Sequence, residues 1–191
     1  MTRIPAQAVV IGVSAGALEA LSIILPSLPR EYSLPVMVVV HVPPDKTSVL
    51  VDLLAEKCVV RVVEAADKEP ICQGTTYFAP PGYHLLVEMD KSLSLSNDQP
   101  VHYSRPSVDV LFESAADAYG AALVAVILTG ANHDGANGMK AVIHAGGRGV
   151  IEHPDHAYAS AMPEAAMALC PTALVLSLEE IALYLRSIEK V

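Results

Sequence analysis

The chain is poor in the features that mark several large protein classes. It has only three cysteines among 191 residues, and they are widely spaced: Cys58, Cys72 and Cys170. No Cys-x-x-Cys pair occurs, so the pattern favours reduced, packed thiols over a disulfide framework or a zinc site. Lys and Arg are also scarce, 12 against 21 Asp and Glu. The net charge of −9 argues against a general nucleic-acid binder, which needs clustered cations to face phosphates.

Long hydrophobic runs are missing as well. The apolar runs Val36–Val40 and Leu123–Leu128 are far shorter than the roughly 20 residues that cross a bilayer. The first five residues contain no signal-peptide core. We therefore expect a cytoplasmic protein without membrane insertion. The full Gly-x-Gly-x-x-Gly and Gly-Lys-Ser/Thr fingerprints are absent too, so support for nucleotide binding is weak.

Apolar segments that suit buried strands alternate along the chain with helical segments. Both faces of these strands are apolar, which is typical of a mostly parallel sheet with helices on both faces, so we predict an α/β fold. The length favours one domain over residues 1–191. A first strand at Ala8–Val13 is followed by a helix at about Ala17–Leu28 and a second strand at Val36–His41.

The middle of the chain departs from this alternation, between Glu69 and Ser96. Three short extended runs separated by turn residues occur there: Thr75–Ala79, His84–Glu88 and Leu93–Ser96. We predict that they form a β-hairpin excursion from the main sheet. Helix starts are predicted at three other positions: a cap at Thr47, Pro106 and Pro163.

The turn after the first strand holds the first candidate for chemistry. Gly12-Val-Ser14-Ala-Gly16 lies between the predicted strand and helix, and its small residues allow a sharp turn that leaves the Ser14 hydroxyl exposed. Ser14 is therefore the candidate nucleophile. The same corner also suits an anion, because free N–H groups and the helix dipole favour negative charge there. On these residues alone, that alternative stays open.

A serine nucleophile needs an imidazole that takes its proton and a carboxylate that orients the imidazole. His41 ends the second strand, and Asp134 lies in the loop after the strand Leu123–Leu128. Since the carboxyl ends of parallel strands meet at one sheet edge, both residues can approach Ser14. We predict His41 as the base and Asp134 as its orienting carboxylate.

An acyl-transfer intermediate also needs fixed N–H donors for its oxyanion. The backbone N–H groups of Ala15, at the start of the first helix, and of Ala131, in the facing loop, are the candidates. The chain order Ser, His, Asp and the absence of a His-Gly-Gly-Gly loop disfavour a lipase-like esterase.

Other roles for these residues remain open at this point. Asp134 precedes a glycine and a predicted helix, so N-capping of that helix is the favoured role on the residues alone. His41 can simply end a strand, and His133 can supply the functional imidazole in its place. His153 and His156 suggest a metal site, but no third ligand is evident. We expect neither a metal nor a cofactor.

Six segments, in order over nearly the whole chain, together resemble one family: the catalytic domain of the bacterial chemotaxis protein-glutamate methylesterases, or CheB family. They are Ile11-Gly-Val-Ser-Ala-Gly-Ala-Leu-Glu-Ala20, His41-Val-Pro-Pro44, Tyr77-Phe-Ala-Pro-Pro-Gly-Tyr-His84, Arg105-Pro-Ser-Val-Asp-Val-Leu-Phe112, Val126-Ile-Leu-Thr-Gly130 with Asp134-Gly-Ala-Asn-Gly-Met139, and Ala161-Met-Pro-Glu-Ala165.

The resemblance implies a doubly wound α/β domain that hydrolyses γ-glutamyl methyl esters of chemoreceptors and deamidates certain receptor glutamines. Ser14 then matches the nucleophile, His41 the base and Asp134 the orienting carboxylate. Ala15 matches one backbone oxyanion donor, and Ala131 stands where the family commonly has methionine as the other. His133 replaces an amide beside the aspartate. The chain begins close to the first strand, so we expect a catalytic domain without a receiver domain.

The partners expected from the resemblance are a methylated chemoreceptor cytoplasmic domain and a separate receiver or signalling protein. We predict a substrate-binding rim that includes Arg105, Met162 and Glu164, although a solvated surface is the plain alternative for these residues. Two other functions stay open. One is a binding or regulatory module that keeps the fold without turnover, and the other is an esterase or amidase for different acyl groups.

Overall fold

Nine strands and six α-helices form the part of the chain that the computed structural model describes, residues 4–41 and 49–188. The strands are β1 Ala8–Val13, β2 Val36–Val40, β3 Arg61–Glu64, β4 Thr75–Phe78, β5 His84–Val87, β6 Leu93–Ser96, β7 Leu123–Ile127, β8 Arg148–Glu152 and β9 Leu174–Leu176. The helices are α1 Ala17–Ile24, α2 Val49–Lys57, α3 Val108–Tyr119, α4 Ala136–His144, α5 Ala161–Leu169 and α6 Leu178–Ser187.

Seven of these strands form one parallel sheet in the order β3-β4-β2-β1-β7-β8-β9. From β1 the chain first builds one side of the sheet and then returns through β7 to build the other. The strand order therefore reverses between β1 and β7, and α/β sheets bind ligands outside the carboxyl ends of the strands at such a point.

Apolar side chains fill both faces of this sheet. Every residue of β1, β2 and β7 is buried, as expected for central strands between two helical layers. Alternate residues of β1 point to opposite faces: Val9 and Ile11 belong to one core, Val10 to the other. The first core includes residues of α1, α2 and α6, and the second includes residues of α3, α4, α5 and the β5–β6 hairpin.

The main correction to the predicted elements concerns the middle of the chain. The run that begins at Thr75 is not part of the hairpin excursion: it forms β4, which pairs in parallel with β2 and β3. Only β5 and β6 form an antiparallel pair. A four-residue run between two turns has the same pattern in either arrangement, so its partners are decided by tertiary packing.

Several predicted ends also move. The first helix ends at Ile24, and a 3₁₀ turn covers Leu25–Ser27. α3 begins at Val108, two residues after Pro106, and α5 begins at Ala161, so Pro163 lies in its first turn. The predicted cap at Thr47 lies outside the described residues. No described helix is long and apolar enough to cross a membrane.

Candidate active site

The predicted corner around Ser14 is a strand, a tight turn and a helix. β1 ends at Val13, Ser14 is partly exposed, and its N–H donates to Thr129 O at 2.9 Å. Gly16 has a φ of 88°, which favours glycine, and α1 begins directly after it. A Cβ on Gly16 would also lie 2.8 Å from Tyr158 Cβ. The turn therefore depends on glycine for both its conformation and its space.

The end of β2 brings His41 beside this corner. Val13 and Val40 are register partners in the parallel β1–β2 pair, and His41 N–H donates to Val13 O at 3.3 Å. Ser14 and His41 therefore follow the last paired residues of adjacent strands, at the same sheet edge.

The loop after β7 supplies the carboxylate. His41 Nε2 lies 2.8 Å from Asp134 Oδ2, and the Asp134 side chain has no exposed surface. Asp134 also accepts hydrogen bonds from Ser107 Oγ at 2.8 Å, Val108 N–H at 2.7 Å and Asp109 N–H at 2.9 Å.

Two opposing effects act on the ionisation of Asp134. Burial disfavours the charged form, but the hydrogen bonds from His41 and from the N–H groups of Asp109 and Val108 outweigh it, so the pKa of Asp134 is lowered from its ordinary value. The N-terminal dipole of α3 favours the same negative charge. Asp134 is thus an ionised acceptor, which requires the proton on His41 Nε2.

The N-capping role that the residues favour for Asp134 is wrong for its own helix. Gly135 is the N-cap of α4, and Asp134 instead accepts the first two N–H groups of α3, from Val108 and Asp109. Asp109 in turn accepts Gly135 N–H at 3.0 Å and Gly138 N–H at 2.6 Å, at the start of α4. Each aspartate therefore caps the other's helix, and this reciprocal cap fixes Asp134 against both helices.

The pKa values of the two carboxylates of this reciprocal cap are shifted in opposite directions. Burial raises the pKa of Asp109; the bonds from Gly138 and Gly135 oppose that shift, and the negative charge of Asp134 reinforces it. The His102 ring, half exposed, approaches Asp109 with Nε2 3.4 Å from Oδ2. The charge is thus held more firmly on Asp134 than on Asp109.

A buried histidine, His84, accepts a hydrogen bond from the backbone of Ser107. His84 is 2% exposed, its Nδ1 accepts Ser107 N–H at 3.2 Å, and its Nε2 lies 3.1 Å from Gln99 O. Because Nδ1 accepts, the proton is on Nε2 and is donated to Gln99 O. The β5–β6 hairpin therefore helps to place the serine that donates to Asp134.

The second ring nitrogen of His41 contacts Asn132. Asn132 Nδ2 lies 3.1 Å from His41 Nδ1, and Asn132 Oδ1 accepts Asp134 N–H at 3.1 Å. No hydrogen bond joins Ser14 Oγ to His41 among the described residues. Such bonds often form only when substrate is bound.

The predicted oxyanion donors lie on two segments that are bonded together. The N–H groups of Ala15 and Ala131 have no hydrogen-bond acceptor in the described ranges. Between them, Thr129 Oγ1 donates to Ala15 O at 2.7 Å, and Ser14 N–H donates to Thr129 O at 2.9 Å. These bonds hold the loop of Ala131 against the turn of Ser14.

Glu152 holds the start of the Ala131 loop in place through a hydrogen bond to Thr129. It is 1% exposed, and its Oε2 accepts Thr129 N–H at 2.7 Å. Burial raises the pKa of Glu152, and the bond from Thr129 opposes the shift. Glu152 also lines a cavity of about 210 Å³ beside Gly16, with Glu19, His156 and Tyr158.

The three predicted rim residues occupy different environments. Arg105 is half-buried, and its Nη1 donates to the carbonyls of Asn97 and Asp98 at 2.8 and 2.9 Å. Met162 is 1% exposed and packs against Gly130, so its side chain is a core group rather than a surface contact. Glu164 is exposed in the first turn of α5. Only Glu164 has the exposure expected of the rim.

The other histidines considered from the sequence do not hydrogen-bond to Asp134 in the described ranges. His133 is exposed and makes no hydrogen bond to Asp134 within residues 4–41 and 49–188. The rings of His153 and His156 lie 5.0 Å apart. No group of three or more His, Cys, Asp or Glu side chains that could hold a metal occurs in the described ranges.

Four residues of the site are absent from the sequence-based prediction: Asn132, Ser107, Asp109 and His84. Ser107 and Asp109 lie just after Pro106, the predicted start of a helix, where such residue types are a signal for capping. The cap partner is 26 residues away, however, and local spacing does not reveal such a contact. Asn132 had a weak signal only, a polar side chain in the predicted oxyanion loop.

The comparisons with known proteins agree on one family. A family model described as CheB methylesterase matches residues 9–185. A Leptospira interrogans protein named "Putative protein-glutamate methylesterase/protein-glutamine glutaminase" is 44% identical over 176 residues, 92% of this chain and 91% of the relative. A protein-glutamate methylesterase/protein-glutamine glutaminase of Symbiobacterium thermophilum is 39% identical over 94% of this chain, which spans 50% of that relative's length.

A solved structure extends this agreement to three dimensions. The catalytic domain of the Thermotoga maritima CheB methylesterase superposes with a TM-score of 0.91 at 31% sequence identity. The match covers 97% of this chain and 100% of that domain. The α/β fold and the sheet order described above are therefore those of a known catalytic domain.

Proposed function

The chain belongs to the CheB methylesterase family, and we propose that it is a serine-type protein-glutamate methylesterase acting on γ-glutamyl methyl esters of chemoreceptors. The observation that carries the proposal is the 2.8 Å contact between His41 Nε2 and the buried Asp134 carboxylate, at the strand ends beside Ser14. A histidine hydrogen-bonded to a buried carboxylate in this way, next to a partly exposed serine, is the arrangement that activates a nucleophile.

The proposed reaction has two steps. Ser14 Oγ attacks the ester carbonyl carbon while His41 Nδ1 takes the hydroxyl proton, and the tetrahedral oxyanion is bound by the N–H groups of Ala15 and Ala131. Its collapse breaks the carbon–oxygen bond to the methoxy group, which leaves as methanol with the proton from His41. Water then attacks the acyl-enzyme with His41 again as base, and this releases glutamate and regenerates Ser14.

Asp134 supplies the electrostatics of this mechanism. Its ionised carboxylate holds the proton on Nε2 and stabilises the imidazolium that forms when His41 takes the serine proton. Because Ser107, Val108 and Asp109 already hydrogen-bond to Asp134, the carboxylate does not reorganise during the reaction.

The same groups support a second reaction on the same side chain. A glutamine amide differs from the methyl ester only in its leaving group, so attack by Ser14 and protonation of the leaving nitrogen by His41 would release ammonia. Names of the Leptospira and Symbiobacterium relatives include protein-glutamine glutaminase. We propose this deamidation as an accompanying activity.

A binding module without turnover is the alternative function. One observation favours it: His41 Nδ1 is bonded to Asn132 and not to Ser14. A folded protein that binds a methylated receptor fragment without releasing methanol would support this alternative.

The partners we propose follow from the substrate. A methyl ester is small, so recognition must come from the receptor surface around it, with Glu164 as an exposed candidate contact. We further propose a cytoplasmic location and a separate receiver or signalling protein as regulator.

Methanol release from a methylated chemoreceptor cytoplasmic fragment tests the proposal. We expect release by the wild-type chain and loss of at least about 10³-fold in Ser14→Ala. Ser22→Ala, which removes a partly exposed hydroxyl on α1, serves as the matched control and should retain wild-type release. Equal rates in the wild type and Ser14→Ala would contradict the serine mechanism.

A further inference from the structure

The candidate base has hydrogen-bond partners on both ring nitrogens. Nε2 of His41 contacts Asp134 Oδ2 at 2.8 Å, and Nδ1 contacts Asn132 Nδ2 at 3.1 Å. In the proposed mechanism Nδ1 is the atom that must accept the serine proton. Asn132 is therefore the hydrogen-bond partner of the ring nitrogen that acts as the base in that mechanism.

The orientation of the Asn132 amide follows from its other contact. The Asp134 N–H is a donor, so the amide atom that faces it at 3.1 Å must be the oxygen Oδ1. This leaves the amide nitrogen Nδ2 at His41 Nδ1. A backbone N–H thus determines which end of the side chain meets the imidazole.

Two neighbours then fix the same protonation state of the ring. The ionised Asp134 only accepts, so it requires a proton on Nε2, and the Asn132 N–H only donates, so it requires a lone pair on Nδ1. An imidazolium would place N–H against N–H at Nδ1. Asn132 therefore favours the neutral ring with its lone pair on Nδ1, which is the form a general base needs.

We propose that Asn132 is a positioning residue that keeps Nδ1 of His41 unprotonated and aligned until the Ser14 hydroxyl replaces the amide as its hydrogen-bond donor. The role of Nδ1 as base rests on the proposed function, whereas the tautomer does not. Since one lone pair accepts one short hydrogen bond, the amide of Asn132 must yield when Ser14 donates.

Among the described residues, Asp134 is the charged group that hydrogen-bonds to His41. Asp109 donates its N–H to Asp134 and has Nε2 of the half-exposed His102 ring 3.4 Å from its Oδ2, and the exposed His133 bonds to neither carboxylate. These groups are common to the wild type and to variants of Asn132. A change in the protonation of His41 on substitution of Asn132 can therefore be assigned to that position.

Asn132→Asp is the decisive variant because it keeps the contact with Asp134 N–H and changes only the contact with His41 Nδ1. Its carboxylate still accepts the Asp134 N–H, but it offers an acceptor to Nδ1 and thus favours the doubly protonated ring. Asn137→Asp adds the same charge at an exposed position of α4 and is the matched control.

The pH profile of methanol release gives the first readout. We expect the acidic limb of kcat/KM to move to higher pH in Asn132→Asp, by about one unit or more, so that release at pH 7 falls and recovers towards alkaline pH. Asn137→Asp should follow the wild-type profile. A profile for Asn132→Asp that overlays the wild type, or that is lower by one constant factor at every pH, would overturn the proposal.

Nitrogen NMR of the histidine rings gives a second readout that needs no turnover. The His41 signals are assigned by their loss in His41→Gln. At a pH where the wild-type ring is neutral, we expect an unprotonated Nδ1 and a protonated Nε2 in the wild type, and protons on both nitrogens in Asn132→Asp. A wild-type ring with its proton on Nδ1 would overturn the proposal. If these signals hold while the wild type releases no methanol, the methylesterase proposal fails and the tautomer assignment stands.

Discussion

The buried Asp134 carboxylate accepts four hydrogen bonds, two on each oxygen. Ser107 Oγ and Asp109 N–H donate to Oδ1, and His41 Nε2 and Val108 N–H donate to Oδ2. The sequence predicted the pairing of His41 with Asp134, because a serine nucleophile needs both a histidine base and a carboxylate that orients it. It did not predict Asn132, since a single amide carries no motif and its contact with His41 spans 91 residues.

Asp134→Asn should lower stability, because one of its two terminal atoms becomes a donor that faces two donors. We expect a loss of about 2–4 kcal/mol in the free energy of unfolding at pH 7, measured with urea. Asp117→Asn, an exposed change on α3, is the control.

The stability difference between the wild type and Asp134→Asn should also depend on pH. The pKa of Asp134 is lowered in the folded state, so its ionisation contributes stability above its unfolded pKa of about 4, and that stability is lost as the pH falls through the folded pKa. The difference between the wild type and Asp134→Asn should therefore shrink below about pH 4. A difference that stays constant from neutral pH to about pH 3 would contradict the lowered pKa.

At the scale of elements, α3 and α4 are joined through their N-termini by the reciprocal cap of Asp134 and Asp109. Both helices were predicted from the sequence, α3 from Pro106 as a helix start and α4 as the segment after Gly135. The partner of each cap was not, because capping patterns are local in sequence whereas these contacts are between helices. β4 was assigned to the hairpin for the same reason: its pairing with β2 and β3 is set by the packed sheet.

Asp109 provides a test of this cap. In Asp109→Ala, the N–H groups of Gly135 and Gly138 lose their acceptor, and we expect a loss of about 2–4 kcal/mol in the free energy of unfolding. Asp109→Asn keeps an oxygen acceptor and removes the buried charge, so most of the stability should remain. Equal losses in the two variants at pH 7 would show that the charge, and not the cap, is what matters.

The pH dependence of Asp109→Asn has the opposite sign to that of Asp134→Asn. Burial raises the pKa of Asp109, so its ionisation costs stability as the pH rises from the unfolded pKa to the folded one. The stability of Asp109→Asn relative to the wild type should therefore increase from about pH 4 to neutral pH. A relative stability that falls over this range would contradict the raised pKa.

At the scale of the molecule, one parallel sheet separates two apolar cores and carries the candidate site at its carboxyl edge. The α/β class and parallel strands were predictable because the central strands are apolar on both faces. The order β3-β4-β2-β1-β7-β8-β9 was not predictable in the same way, since periodicity does not specify which strands are neighbours. The resemblance to a family, and not composition, supplied the doubly wound expectation.

A shared sheet predicts cooperative unfolding. Leu21 lies in one core and Leu111 in the other, and both are fully buried. Leu21→Ala and Leu111→Ala should each lower the free energy of unfolding by about 2–5 kcal/mol and keep one transition in circular dichroism. Two transitions, each sensitive to one variant, would contradict a single domain.

The proposed function requires that Ser14 attacks the glutamyl ester. The most direct measurement treats the protein with increasing amounts of a serine-directed fluorophosphonate, maps the modified peptide by mass spectrometry and follows methanol release from a methylated receptor fragment. We expect the label on Ser14 and a loss of release in proportion to the labelled fraction. Release that persists when Ser14 is fully labelled, or that disappears with the label on another residue, would contradict the claim.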